Sequence, residues 1–383
     1  MKLQIFPNGQ SPLFSFKKDD NRHTDPSEDN RNSTRPLARG LATLIFLFAA
    51  GILILGLLTF RMEDFMSVGA KGEDLKCYRG IIYRIQQGEG YYQAAHAELS
   101  SRGYPTKIVF NWRLPFLGWL LGHIPDARMS RAIPMLLSLF AIWLWITLKV
   151  RVWPIYKVAA GAILAAGFPI YTLLDDIYII HELWAGILIF ISLTAHGRGW
   201  KTISCVSGIL ALFIRELALP FAAIMTVSSL VERRKQEALA WGMGIIAFLG
   251  VFFVHFLTVQ DFLTGDPVLH FGYWFDFNGW AFVLATFQMH PFLLLLPSWV
   301  TSIIVPFSLL GFLGWHNSTG IRIRLTIITY IFIFLFVGKK FNAYWGLIYC
   351  NLLPLGLLYT RDTMARLNAA FRHDCKDRPP VIP

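Results

Sequence analysis

The stretch LATLIFLFAAGILILGLLTF, Leu41–Phe60, carries no charge over its whole length. A helix crosses the hydrocarbon of a bilayer in about 20 apolar residues, so this run reads as a membrane span. It has no A-x-A-like exit, so it reads as an uncleaved anchor rather than a secretory leader. Working outward, the chain of 383 residues is 55% hydrophobic and only 15% charged, and its apolar residues fall into long blocks. That pattern excludes a soluble globular domain and predicts an all-α, polytopic membrane protein. The formal charge of +11 comes mainly from residues at the ends of apolar blocks, where they act as topology signals rather than as a nucleic-acid surface. The four cysteines, Cys77, Cys205, Cys350 and Cys375, include no close pair, so neither a disulfide framework nor a structural zinc is indicated.

Residues 1–40 are polar and too poor in apolar side chains to build a core, which predicts a disordered tail. Arg31, Arg35 and Arg39 precede the first span, and the positive-inside rule then puts the N-terminus in the cytoplasm. Further basic groups follow later blocks: Lys149/Arg151, Arg198/Lys201, Arg233–Lys235, Arg322/Arg324 and Arg361/Arg366. With each on the cytoplasmic side, about ten spans result, at 41–60, 131–149, 154–174, 178–196, 202–214, 217–231, 238–257, 291–314, 325–338 and 342–359. The transmembrane unit then covers 41–360 and a cytoplasmic tail 361–383. Leu114–Pro125 is too short to cross and reads as a re-entrant or interfacial helix. No 20–50-residue repeat is present, and no matched pair of interrupted segments marks a repeat-built transporter.

The largest polar insert, 61–113, lies on the outer side in this scheme. Within it Leu75, Tyr78, Ile82 and Ile85 share one helical face, and a second helix from Tyr91 presents Tyr92, Ala95, His96 and Leu99 before the stop at Gly103-Tyr104-Pro105. Two amphipathic helices in the plane of the interface, forming a lid, are expected. Its carboxylates Asp74 and Glu89 are candidates for a general base; the plainer reading is that both solvate the helices.

Other polar groups gather on the same predicted side. Arg113 in FNWRLP suits bidentate contact with a phosphate, or headgroup anchoring. Arg215 and Glu216 in FIRELALP stand where two short helices meet, as a local ion pair or as a cavity-facing cation. Asp175, Asp176, His181 and Glu182 in LLDDIYIIHELWAG have no tight metal spacing and fit sugar hydroxyls or solvent. Lys339, Lys340, Asn342, Tyr344 and Trp345 in VGKKFNAYWG combine cations with aromatic rings, as a phosphate and sugar site or an interface belt.

The order of these features resembles the GT-C superfamily, the multi-span glycosyltransferases that use polyprenyl-phosphate sugars. The stretches YRGIIYRI, GEGYYQAA, GYP, NWRLP, HELWAGIL and RELALP also resemble a group of uncharacterised bacterial multi-span proteins. The superfamily likeness implies inverting transfer of a sugar to a lipid, glycan or protein acceptor at the outer face of a bacterial inner membrane. Asp74 or Glu89 would be the base, Asp74 being favoured by its distance from the first span, although the family's usual acidic residue stands closer before a tyrosine. Arg113, Arg215, Lys339 and Lys340 would hold the phosphate, and Tyr344, Asp175, Asp176 and His181 the donor sugar. The implied partners are the polyprenyl-phosphate sugar and membrane lipids, with no cofactor and no metal required. Two other functions compete: a transporter or flippase of an anionic lipid, and a non-catalytic partner in envelope glycan assembly.

Overall fold

The computed structural model describes residues 39–66, 72–263 and 274–373. Most of the expected 1–40 tail, with Arg31 and Arg35, lies outside these residues, as do Cys375 and positions 374–383. The described residues are helical, with one isolated antiparallel bridge between Phe275 and Val337. Five stretches are long and apolar enough to cross a membrane: α1 (Arg39–Thr59), α6 (Ala127–Lys149), the pair α7 (Ile155–Ala165) and α8 (Gly167–Leu173), α12 (Lys235–Gln260), and α16 (Ser318–Phe336). Their outward faces are those of a membrane protein. On α1, Phe48 is 69% and Leu58 76% exposed, a surface whose natural solvent is lipid. Its buried residues are Ala42, Ala49 and Gly56, one every seventh position, and such small side chains let helix backbones approach where lipid gives no hydrophobic drive to associate.

Between α1 and α6 lie α2 (Glu63–Met66), α3 (Glu73–Gln86), α4 (Tyr91–Ser101) and α5 (Pro115–Gly122). The centre is α9 (His181–Gly197), followed by α10 (Lys201–Ile214) and α11 (Leu219–Val231). Every residue of α9 from His181 to His196 is buried. A close approach makes this possible: a Cβ on Gly186 would overlap the Leu347 carbonyl. The helix therefore packs directly on the backbone of a 3-10 segment, Lys340–Ile348.

The remaining elements are α13 (Gly279–Gln288), α14 (Pro291–Leu294), α15 (Ser298–Phe312) and α17 (Leu357–His373). Three departures from the sequence expectation occur here. The apolar decapeptide of α13 falls inside what reads as a loop; it is too short to register as a span, yet Phe282–Gln288 are all buried. Residues 291–314 are not one helix, because Pro297 opens a new one at Ser298. The last predicted span, 342–359, consists largely of 3-10 turns at Lys340–Ile348 and Leu353–Gly356. The true helix starts at Leu357 and runs into the stretch read as a tail, burying Leu367 and Ala370 beside Ala42 and Ala49. At that end Lys149 Nζ sits 4.5 Å from the Trp153 ring centre and 4.6 Å from that of Trp315, 3.1 Å from Tyr359 Oη. This aromatic box ties α6 to α17.

The insert is helical, but its buried faces are turned from the expected ones. On α3 Cys77, Tyr78, Ile81 and Ile85 are buried, and on α4 Tyr91, Ala94, Ala95, Glu98 and Leu99. The cause is Gly80, where a Cβ would collide with the Glu98 carboxylate. Glu98 turns inward over this gap and accepts hydrogen bonds from Arg84 Nε (2.8 Å) and from Arg102 Nε and Nη2 (both 3.0 Å). The pair is fastened to the bundle by His255 of α12, which lies 3.0 Å through Nδ1 from Tyr92 Oη and 3.3 Å through Nε2 from the Trp112 carbonyl. A carbonyl only accepts, so Nε2 carries the proton and Nδ1 accepts from the phenol.

Gly186→Ala forces α9 off the 3-10 segment, and overpacking of this kind costs about 1–3 kcal/mol. The unfolding temperature in detergent should fall, whereas Gly250→Ala, with open space at its Cβ, should leave it unchanged.

Candidate functional site

Five segments distant in sequence meet at the N-terminal end of α9. Arg215 is delivered by a break in the chain. Pro220 at the second position of α11 tolerates a helix start but not a helix interior, so α10 stops at Ile214 and Arg215 takes an extended conformation (φ −145°, ψ 115°). Its guanidinium is 1% exposed, and its Nε donates to Oε1 of Glu182, which is 0% exposed, at 2.6 Å. Its Nη1 pairs with Glu216, and its Cζ lies 5.4 Å from the Trp345 ring centre. Glu182 is in the first turn of α9, where helix N-terminal N–H groups favour a carboxylate.

Arg113 approaches from the insert. Its Nε donates to Tyr78 Oη (3.0 Å) and its Nη1 to the Phe110 carbonyl (2.8 Å), with Glu216 Oε1 at 3.6 Å. None of these contacts uses its second terminal nitrogen. The Tyr78 ring stands edge-on to His181, centroids 4.9 Å apart. Both ring nitrogens of His181 and Oε2 of Glu182 are buried without a hydrogen-bond partner among the described residues. His181, Tyr78, Ile81, Tyr91 and Gly118 line a crevice of about 10 Å³, room for about one water.

Asp74 completes the group. Its Oδ1 accepts from Tyr104 Oη and its Oδ2 from Tyr344 Oη, both at 2.6 Å. Burial and the adjacent Asp74 charge push the Tyr104 phenol well above its usual pKa, so it remains the donor. Tyr344 precedes Trp345, whose ring meets Arg215, and this closes the ring of contacts.

The structure thus brings Asp74, Arg113, His181, Arg215 and Tyr344 together and leaves the other sequence candidates outside. Glu89 is exposed and paired with Arg84 Nη1 at 2.9 Å. Asp176 pairs with Arg79, and the Asp175 carbonyl accepts from Arg131 at 2.6 Å. Lys339 Nζ lies 3.4 Å from Asp276, and Lys340 is exposed. Tyr104 is the member that sequence reading passes over, since a contact 30 residues away leaves no local pattern. Among the described residues no group of three or more His, Cys, Asp or Glu is placed to hold a metal ion. Cys77, Cys205 and Cys350 are buried and unpaired.

A second polar group occupies the far end of α9, about 22 Å away at 1.5 Å per residue. There His196 and Lys201 meet Glu237 at 3.3 and 3.5 Å, and Arg322 and Arg234 pair with Glu232. Between the two groups α9 is apolar, and the hydroxyls of Ser192 and Thr194 are turned onto backbone carbonyls. Comparison with protein-family models, curated proteins and solved structures gives no match for this chain.

Removing one partner of a buried ion pair costs about 3–5 kcal/mol, because a charge is left alone. Arg215→Met should therefore destabilise the protein strongly, and Glu182→Gln in the same chain should restore much of the loss. Thermal unfolding of the single and double variants in detergent reads this directly.

Proposed function

We propose that the protein is a membrane glycosyltransferase that moves a sugar from a polyprenyl-phosphate donor to an acceptor hydroxyl. The observation that carries the reading is the placement of Asp74: a partly open carboxylate at one end of the bundle, joined through Tyr344 and Trp345 to Arg215 and lying beside Arg113. In this reading the acceptor oxygen attacks the anomeric carbon while the bond from that carbon to the phosphate oxygen breaks. The electron pair leaves with the phosphate, Asp74 takes the acceptor's proton, and the configuration inverts. Arg113, through the nitrogen its present contacts leave unused, meets the charge that develops on the phosphate. Arg215 is spent on Glu182 and Glu216 and holds the site's shape. Glu182 Oε2, a buried acceptor, and the His181 ring, which offers one donor and one acceptor nitrogen, suit sugar hydroxyls. Glu89 has no part.

The topology is part of this proposal. The shorter helices α9, α10, α11 and α15 join the five long stretches in a polytopic bundle of nine passes, with the insert as an outer-face lid. The basic groups Lys201, Arg234 and Arg322 share the opposite end of α9, which supports a cytoplasmic position for that end and an outer one for the site. The apolar course of α9 between the two polar groups argues against a transport path along the bundle's centre.

The test uses membranes containing the full chain and a radiolabelled polyprenyl-phosphate hexose. Wild type should move label to an acceptor, Asp74→Asn should transfer about 10²–10⁴-fold more slowly while still binding the donor, and Glu89→Gln should transfer as wild type. Undiminished transfer by Asp74→Asn would overturn the assignment.

A further inference from the structure

The two oxygens of Asp74 are held by tyrosines of very different freedom. Tyr344 lies in the 3-10 segment in which Asn342, Ala343, Trp345 and Gly346 are all buried, so it has nowhere to retreat. Tyr104 lies in a surface bend. Its neighbours Gly103 and Pro105 are exposed, and Gly103 takes φ 71°, a conformation open to glycine without strain. The bend itself is firm, because Tyr104 N donates to the Leu99 carbonyl (2.9 Å), Asn111 Nδ2 to that of Pro105 (2.8 Å) and Trp112 Nε1 to that of Thr106 (2.8 Å). Tyr104 is half-buried against the core, so rotation of its side chain frees Oδ1 at the cost of that hydrogen bond and part of the ring's packing, without backbone movement.

We propose that the Tyr104 hydroxyl holds the seat of a ligand hydroxyl on Asp74 Oδ1, and that Tyr344 is the positioning residue that keeps Oδ2, and so the carboxylate, in place. This rests on the reading of Asp74 as the base for an acceptor hydroxyl and adds which oxygen receives that hydroxyl and which tyrosine holds its seat. An ionised carboxylate only accepts, so the incoming group must be a donor. A phosphate or carboxylate is excluded by repulsion from Asp74. The Tyr104 oxygen already stands 2.6 Å from Oδ1, within the reach a base needs for the proton it removes. A ligand hydroxyl exchanges one O–H to carboxylate bond for another, so the exchange itself gains little. Tyr104 is then a competitor, and losing its hydroxyl strengthens binding.

Saturation-transfer NMR with methyl glucoside as probe, on the full chain in lipid nanodiscs, tests this on wild type, Tyr104→Phe, Tyr344→Phe and Asp74→Asn. Tyr104→Phe should bind the probe about three- to tenfold more tightly, Tyr344→Phe more weakly, and Asp74→Asn not at all. Opposite signs from removing the same hydroxyl on the same carboxylate would not arise if both tyrosines only braced the fold. Tyr104→Ala, which empties the ring's place as well, should move binding in the same direction as Tyr104→Phe. Binding lost in Asp74→Asn but unchanged or weakened in Tyr104→Phe overturns this inference and leaves the sugar site standing. No binding by any of the proteins overturns both.

Discussion

The ion pair between Glu182 and Arg215 is the constraint on which the site is built. Both groups are closed off from solvent, and a charge in such a place is tolerated only with its partner in contact. Satisfying Glu182 requires Arg215 at the head of α9, and that in turn requires the chain to stop being helical between α10 and α11. Backbone groups released from the helix beside a desolvated pair need cover and partners, and the insert and the Lys340–Ile348 segment close over them. Arg113 arrives with the insert and Trp345 with the 3-10 segment. Tyr344, next to Trp345, then reaches Asp74. One desolvated pair thus sets the positions of residues from five parts of the sequence.

The charges of the site are matched while it stays closed. Glu182 and Glu216 face Arg113 and Arg215, while the two oxygens of Asp74 are held by Tyr104 and Tyr344. Arg113 is the loosely held one, 3.6 Å from Glu216, whereas Arg215 is 2.6 Å from Glu182. In the proposed reaction a phosphate would compete for Arg113 and leave Arg215 in place. The far end of α9 carries a second, lysine- and arginine-rich network, and the apolar stretch between them keeps the two chemistries apart.

Much of this was legible in the sequence, because apolar periodicity and helix punctuation are local. The first apolar helix, the break before Pro220 and the short α5 all read to within a few residues, and the two insert helices read as helices but with the wrong faces buried. Elements whose logic is tertiary did not. α13 is a ten-residue helix that exists because it is walled in, and the 3-10 segment owes its path to Gly186 and to Gly346, where a Cβ would overlap the Thr286 backbone. At the site, Asp74, Arg113 and Arg215 could be singled out as ionisable residues costly to place near a membrane. Glu89, Asp175, Asp176, Lys339 and Lys340 met the same criterion. Only the fold separates the two sets, by joining one through contacts at the head of α9 and leaving the other outside them. Tyr104 carried no signal at all.

Binding decides whether these residues form a site for a lipid-linked phosphate. Purified protein in detergent is titrated with radiolabelled polyprenyl phosphate, wild type beside Arg113→Ala. Wild type should bind saturably, and the variant should lose that binding. Absence of saturable binding by wild type, or equal binding by both proteins, would contradict it.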